Sequence, residues 1–397
     1  MAGIDTVAVI GAGPVGLLTA LGLAQAGIPV TVYERESEIV SSPRAITYHW
    51  AALEGLSRLG LLEEALDAGF AKQDYTFLVF KTGEKISYSL NVLEGRTPFP
   101  FNLHLGQHLL AEIALRKLRE FPHANIAWGT SLRGLEQDDS GVTLAFDGPD
   151  GPARFRAGWV VGADGAGSSV RKALGVEFEG ITWPTRFIAA NVRHDFSLSG
   201  YARTTFLIDD KYGAIIVKLD KADLWRCTYS EPLNLSEDGV AERMQAYFDV
   251  ILPGIRNIEV DAFSPYRVHQ RSAARFRVGR VVLAGDAAHA TNPSGAYGLT
   301  SGLFDVYALY DALAAVARHE VEDAILDRYA ADRRRIFREV VSPAAVENKR
   351  IVFDASDPEQ RDADLLRLRR LSSDKSLVLE RLMLTAKMRS ETLAAVS

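Results

Sequence analysis

The chain has 397 residues, 47% of them apolar and 24% charged, with a net charge of −6. That length allows one large folded unit or two ordinary ones, and the composition is that of a well-packed globular protein. The acidic balance excludes nucleic acid as the main partner, because phosphate binding needs a basic face. Cys227 is the only cysteine, so no internal disulfide forms and a reducing, cytoplasmic setting is expected. No signal-peptide pattern opens the chain, and no uninterrupted apolar run of about 20 residues predicts an integral membrane span.

In chain order, TVAVI (Thr6 to Ile10) reads as a strand covered on both faces. GAGPVG follows, then the helical LLTALGLAQAG with Gly27 as its stop, then the strand PVTVYE ending at Glu34. This order predicts a βαβ unit with parallel strands. AALEGLSRLGLLEEALDAG is helical by period, and TFLVFKTGEKISYSLNV alternates around a Thr-Gly turn as a hairpin does. GQHLLAEIALRKLRE is helical, and VTLAFDGPDGPARFRAGWVVGADG holds two strand candidates, the second ending at Ala163. FIAANVRHDF, YARTTFLID, GAIIVKL and LWRCTYSE predict an antiparallel sheet, with the helix GVAERMQAYFDVI after them. RVVLAGD returns to the buried-strand pattern, GLFDVYALYDALAAVARH is helical, and the tail after Ser342 is charged and helix-prone. A parallel α/β domain is thus visited three times, and the excursions at 74–103 and 181–275 form a second, β-rich lobe. The cleft between lobes is where a small molecule would bind.

Three glycine-rich turns each follow a strand and precede a helix. In the first, Gly11 permits the tight turn, Gly13 lets a pyrophosphate approach the backbone, and Gly16 allows close helix–strand packing. Pro14 fits the first helical turn, and Glu34, about 20 residues on, is placed to accept from a ribose hydroxyl. This fingerprint alone does not separate NAD from FAD. The second turn runs from Gly162 through Asp164 and Gly165 to Arg171, and read alone it is equally a turn with a capping aspartate. The third is AGDAAHATNPSGAYGLTSG, where Asp286 can accept from a polyol hydroxyl and Gly295, Gly298 and Gly302 bare their backbone near a helix N-terminus.

In this order and at these separations the three turns resemble those of the FAD-dependent aromatic hydroxylases, the single-component flavoprotein monooxygenases of the p-hydroxybenzoate hydroxylase type. The resemblance covers roughly residues 1–345. It implies an α/β fold with a Rossmann-type FAD-binding domain (1–73, 104–180 and 276–345), an interleaved β-sheet-rich substrate domain (74–103 and 181–275) and a C-terminal helical segment (346–397). It implies that Gly11, Gly13, Pro14 and Gly16 meet the FAD pyrophosphate, and that Glu34, with Arg35, meets the adenosine ribose. Arg44 would lie beside the flavin, Gln107 at the FAD linker, and Asp164 and Gly165 at a motif shared by FAD and pyridine-nucleotide handling. Asp286 would hold the ribityl chain, Pro293 would flank the ring where oxygen reacts, and Gly298, Leu299 and Thr300 would face its pyrimidine edge. Arg44 and Pro293 are the catalytic candidates. Thr300 and Tyr297 depart from the family pattern, which favours Asn and a small residue there.

The activity implied is hydroxylation of an aromatic or heteroaromatic small molecule, with NADH or NADPH as reductant, dioxygen as co-substrate and a flavin hydroperoxide as oxygen donor. A reductase or halogenase on the same fold, or a non-catalytic FAD-binding redox sensor, is the alternative; the halogenase G-W-x-W-x-I-P segment is absent. No metal site is expected, because His104 and His108 lack a third ligand, and no G-x-S-x-G nucleophile turn occurs. His289 is expected to structure its loop. Arg333, Arg334 and Arg335, like Arg367, Arg369 and Arg370, read as solvated helix faces. For the substrate pocket the candidates are His194, Tyr201, Arg203, Tyr212 and Trp225, with Tyr48 and His49. The helical tail can pack on its own chain or on a second copy, as in a homodimer.

Overall fold

Val7–Ile10 is wholly buried, as a central parallel strand must be. In the computed structural model, which describes residues 5–41, 45–255, 258–354 and 356–390, this strand lies between Trp159–Gly162 and Val30–Tyr33. Val281–Leu283 and Ala124–Ala127 extend the parallel sheet on either side, and Arg277–Val278 adds an antiparallel edge. The Pro14–Gln25 helix is buried along most of its length, packing on the Gln107–Leu118 and Tyr297–Ala317 helices. The segment read as two strands at 142–163 is three: a hairpin, Gly141–Gly148 with Gly151–Ala157, and then Trp159–Gly162.

The second layer is an eight-stranded sheet. Its order is His289–Ala290, Glu259–Ala273, Phe178–Arg193, Leu224–Pro232, Ala214–Lys218, Thr204–Ile208, Asp74–Val79 and Glu84–Ser89. The hairpin near residue 80 joins this sheet, but Asp74–Val79 runs parallel to Thr204–Ile208, so the sheet is mixed rather than antiparallel throughout. Strand alternation divides it into two faces. Leu207, Ile216, Trp225, Cys227 and Tyr229 pack under the Val240–Ile251 helix in a core of their own. Their neighbours Phe206, Ile215, Val217, Arg226 and Thr228 line a cavity on the opposite face.

The helical tail folds back on its own chain. Arg350 bonds Asp364 at 2.6 Å, Trp50 Nε1 donates to the Leu382 carbonyl at 3.1 Å, and Arg389 donates to the Ala51 carbonyl at 2.7 Å. The Tyr297–Ala317 helix is long and apolar enough to cross a membrane, yet 78% of its apolar window is buried inside the protein. It is the central helix of the fold.

One sequence expectation is corrected here. Arg334 and Arg335 are partly or largely exposed, but Arg333 is fully buried. Its Nε donates to Asp305 Oδ1 at 2.7 Å, and its other nitrogens reach the Ser301 and Met388 carbonyls. A run of three arginines spans most of a helical turn, so one member must point inward, and a buried carboxylate receives it. Breaking such a pair strands a charge and costs about 3–5 kcal/mol. Arg333→Met is therefore expected to lower stability by about that amount in a urea titration, and Arg335→Met by less than about 1 kcal/mol.

Candidate functional site

The first turn is built for close backbone approach. Gly11 has φ +109°, and a Cβ there would lie 2.5 Å from the Ala163 carbonyl oxygen. A Cβ on Gly16 would run into the Gly11 carbonyl, whereas in front of Gly13 there is open space. The donor end of the Pro14–Gln25 helix thus faces the cavity over bare backbone, the arrangement that admits a pyrophosphate. Glu34 ends the second strand and accepts from the Ala12 N–H at 2.7 Å and the Glu36 N–H at 3.0 Å. It pins the turn to the strand end. Arg35 is exposed and pairs with Glu36. Neither Glu34 nor Arg35 belongs to the cavity wall.

The cavity itself is about 600 Å³, within the range of small-molecule sites. One half is lined by Gly13, Pro14, Gln107, Gly165, Asp286, Pro293, Gly298 and Leu299, so turns from three distant parts of the chain meet in one space. Gly11 and Gly16 lie behind this wall. Arg44 falls outside the described residues, although its neighbours Ala45 and Ile46 line the cavity. Thr300 is buried, with its hydroxyl on the Ala296 carbonyl at 3.3 Å. The Asp164 carboxylate accepts from Ser168 Oγ at 2.5 Å and from the Ser169 N–H at 2.6 Å, a capping role that leaves Gly165 and Ala166 at the cavity surface.

Asp286 sits on a short turn whose shape is set from below. Gly285 has φ +58°, and its N–H donates to Asp305 Oδ2 at 2.8 Å. The same oxygen bonds His289 Nε2 at 2.7 Å, and Arg333 takes the other. Burial alone would raise the Asp305 pKa, but His289 and Arg333 outweigh it and hold it below the usual value. His289 is fully buried between the Phe276 and Phe337 rings, which fits loop structuring.

The other half of the cavity is aromatic and polar. Tyr75, Tyr88, Thr204, Phe206, Arg226 and Tyr266 come from the mixed sheet; Asn348, Arg381, Leu382 and Thr385 come from the tail. Of the pocket candidates, His49 alone lines it. Tyr201 and Trp225 face the opposite core, Tyr212 packs at its edge, Tyr48 is buried in the main core, and Arg203 is exposed. His194 packs on Phe196, away from the cavity. The error was one of strand phase: the inward residues on Leu224–Pro232 are Arg226 and Thr228, one step from Trp225. Alternation within WRCTYS carried that signal, since Trp225, Cys227 and Tyr229 share a single face. The tail residues carried none.

Asn102 organises the inner wall. Its Oδ1 accepts from the Trp50 N–H at 2.8 Å, which turns the amide nitrogen toward the Tyr75 hydroxyl oxygen, its hydrogen-bond acceptor, and toward His49 Nδ1 at 3.5 Å. Because Tyr75 accepts from Asn102, its own hydrogen is left for the cavity. His49 Nε2 bonds the Gly295 carbonyl at 2.8 Å, so that nitrogen carries the proton. His104 and His108 share no helix face: His104 is in the strand Asn102–His104, bonded to Thr47 and the Lys218 carbonyl. Among the described residues no cluster of metal-binding side chains occurs.

Residues 5–344 match the family model described as FAD binding domain. The chain is 42% identical over 369 residues to 6-hydroxy-3-succinoylpyridine 3-monooxygenase HspB of Pseudomonas putida, spanning 93% of this chain and 94% of that one. It is equally 42% identical over 379 residues to para-nitrophenol 4-monooxygenase of Pseudomonas sp. strain WBC-3, spanning 94% of each. The crystal structure of p-nitrophenol 4-monooxygenase PnpA from Pseudomonas putida DLL-E4 matches with TM-score 0.94 and 41% identity, over 98% of this chain and 100% of that one. A ternary complex of aklavinone-11 hydroxylase with FAD and aklavinone matches with TM-score 0.79 and 28% identity, over 90% and 70%.

Burial pushes His49 down to about 4 and His104 down to about 3 from 6.5. In the unfolded chain both take up protons near pH 6.5, while in the folded chain both stay neutral until much lower pH. Stability therefore rises with pH from about 4 to about 6.5 and levels off above, by an amount on the order of 3 kcal/mol per histidine. Urea midpoints measured across pH 4 to 7 should follow that curve, and His104→Asn should roughly halve its rise, leaving the part due to His49.

Proposed function

The chain belongs to the FAD-dependent aromatic hydroxylases, and from that premise we propose that it oxygenates a single hydroxylated aromatic or pyridine ring, using NADH or NADPH as reductant. It is an FAD-dependent aromatic monooxygenase. The substrates in the names of two relatives, p-nitrophenol and 6-hydroxy-3-succinoylpyridine, both carry a ring hydroxyl and an electron-withdrawing substituent. The observation that carries the reading is the single cavity running from the fingerprint turn to the inner face of the mixed sheet.

Bound FAD supplies the redox chemistry, accepting reducing equivalents from the nicotinamide and providing the reduced ring at which dioxygen is activated. The protein supplies placement and dryness. We assign segments 1–73, 104–180 and 276–345 to holding FAD and segments 74–103 and 181–275 to holding substrate, with tail residues closing the cavity. Gly13 and Pro14 receive the pyrophosphate on a turn whose close packing Gly11 and Gly16 permit, and Glu34 and Arg35 are assigned to the ribose side, beyond the cavity wall. Gln107 meets the linker, Asp286 accepts from the ribityl chain, and Gly298, Leu299 and Thr300 present their backbone to the ring. Pro293 flanks the reacting face, and Arg44 is assigned to it by the family resemblance alone. Asp164 acts through the shape it gives Gly165, since its carboxylate is engaged in capping.

On the substrate side, burial keeps the Tyr75 hydroxyl protonated well above neutral pH, so it donates to a substrate oxygen rather than removing a proton. His49 is neutral at working pH and steadies Gly295, two residues from Pro293. The aromatic wall excludes water from the site of oxygen transfer.

The purified protein should release FAD and oxidise NADH or NADPH faster when a suitable phenol or hydroxypyridine is added. Retention of no flavin, even after added FAD, would end this reading. Asp286→Ala should weaken FAD binding by roughly ten- to hundredfold, the range for a hydrogen bond to a charged group. Tyr75→Phe should keep full FAD content while lowering kcat/KM by roughly tenfold, and an unchanged kcat/KM would remove Tyr75 from the substrate's contacts.

A further inference from the structure

Arg381 lies on the tail helix Lys375–Ala386, beyond the residues matched by the family model, and lines the cavity. It stands 5.5 Å from the Phe77 ring centroid and 5.8 Å from that of Tyr88, and Nη2 donates to Asn348 Oδ1 at 3.3 Å. Asn348 in turn donates to the Tyr297 hydroxyl at 3.3 Å. Most other arginines of this tail behave differently: Arg350, Arg367, Arg369 and Arg389 each meet a carboxylate, and Arg370 is exposed to solvent. Among the described residues no carboxylate comes within ion-pair distance of Arg381; its polar neighbours are neutral.

The charge of the cavity wall points the same way. Arg226, Arg267 and Arg381 line it, against the single carboxylate of Asp286, which lies beside Gly285 in the FAD half. Arg267 is exposed at the rim, and Arg226 is anchored through Nε to Asn191 Oδ1 at 2.8 Å. A cation set in an aromatic box without a carboxylate is costly unless a ligand completes it. The planar guanidinium fork best matches a planar group with two acceptor oxygens.

We propose that Arg381 is a specificity-determining residue that receives a carboxylate or nitro group carried on the aromatic substrate. Asn348 and Tyr297 are positioning residues: they tie the guanidinium to the start of the Tyr297–Ala317 helix, and so to the loop that carries Pro293. Tyr297 thereby gains a role. The proposal rests on reading the cavity as the substrate site of an FAD monooxygenase.

The test uses the FAD-loaded protein and three phenols with para substituents of similar shape: 4-hydroxybenzoate, 4-nitrophenol and 4-isopropylphenol. Dissociation constants are read by calorimetry, which needs no turnover, and kcat/KM is read separately. Wild type should prefer one or both two-oxygen phenols over 4-isopropylphenol. Arg381→Met should cut that preference at least thirtyfold, mostly in Kd and KM rather than kcat. Arg381→Lys should recover part of it for the carboxylate and little for the nitro group, since it keeps charge but loses the fork. Asn348→Ala should reduce the preference severalfold and serves if Arg381→Met does not fold. No preference in wild type, an equal loss for all three phenols, or a preference that moves with Arg226→Met instead would overturn the assignment. A protein that binds these phenols with the predicted selectivity but oxidises no NAD(P)H would uphold Arg381 and sink the functional reading, so the two fail separately.

Discussion

A carboxylate with no access to water holds the site together. Asp305 is fully buried on the central helix, and its two oxygens receive the Gly285 N–H, His289 and Arg333. Each partner belongs to a different piece of structure: the Asp286 turn, the strand that follows it, and the helix after the core. Arg333 carries the link onward to the Met388 carbonyl near the end of the described chain. Such a charge is tolerable only because both its oxygens are engaged, one of them twice, so these parts must keep their places together. The position of Asp286, and with it the FAD half of the cavity, follows from this arrangement.

The substrate half depends on strand phase. Along Leu224–Pro232 the alternation sends Trp225, Cys227 and Tyr229 into a dry core and Arg226 and Thr228 into the cavity. The same division runs across neighbouring strands: Thr204 pairs with Val217, Phe206 with Ile215, and Val217 with Arg226. One sheet thus acts as the roof of one core and the floor of the site. A one-residue slip would exchange the two sets and bury arginine beneath the Val240–Ile251 helix.

Much of this was legible from local pattern. The first turn could be read because strand, glycines, helix and terminal acid lie within one short segment, and their geometry is set by backbone sterics. The Asp286 turn was legible for the same reason, as was the hairpin near residue 80. What could not be read depends on partners distant in sequence. Arg333 resembles any helical arginine until Asp305 is placed beneath it. Asn348 and Arg381 resemble solvated tail residues until the tail is seen to fold across the cavity. Residue type alone does not sort the aromatic residues of the sheet, and only strand phase distinguishes Trp225 from Arg226. Asp164 meets its capping reading, and by capping the helix it presents Gly165 to the cavity.

The most direct test of the account is the FAD affinity of Asp305→Asn. That change removes the charge at nearly constant volume, alters no side chain that lines the cavity and leaves Asp286 in the sequence. With Gly285, His289 and Arg333 no longer held by one anion, FAD should bind at least thirtyfold more weakly to a variant that remains folded by circular dichroism. FAD affinity equal to that of the unaltered chain would show that the turn keeps its shape without Asp305, and would contradict the dependence described.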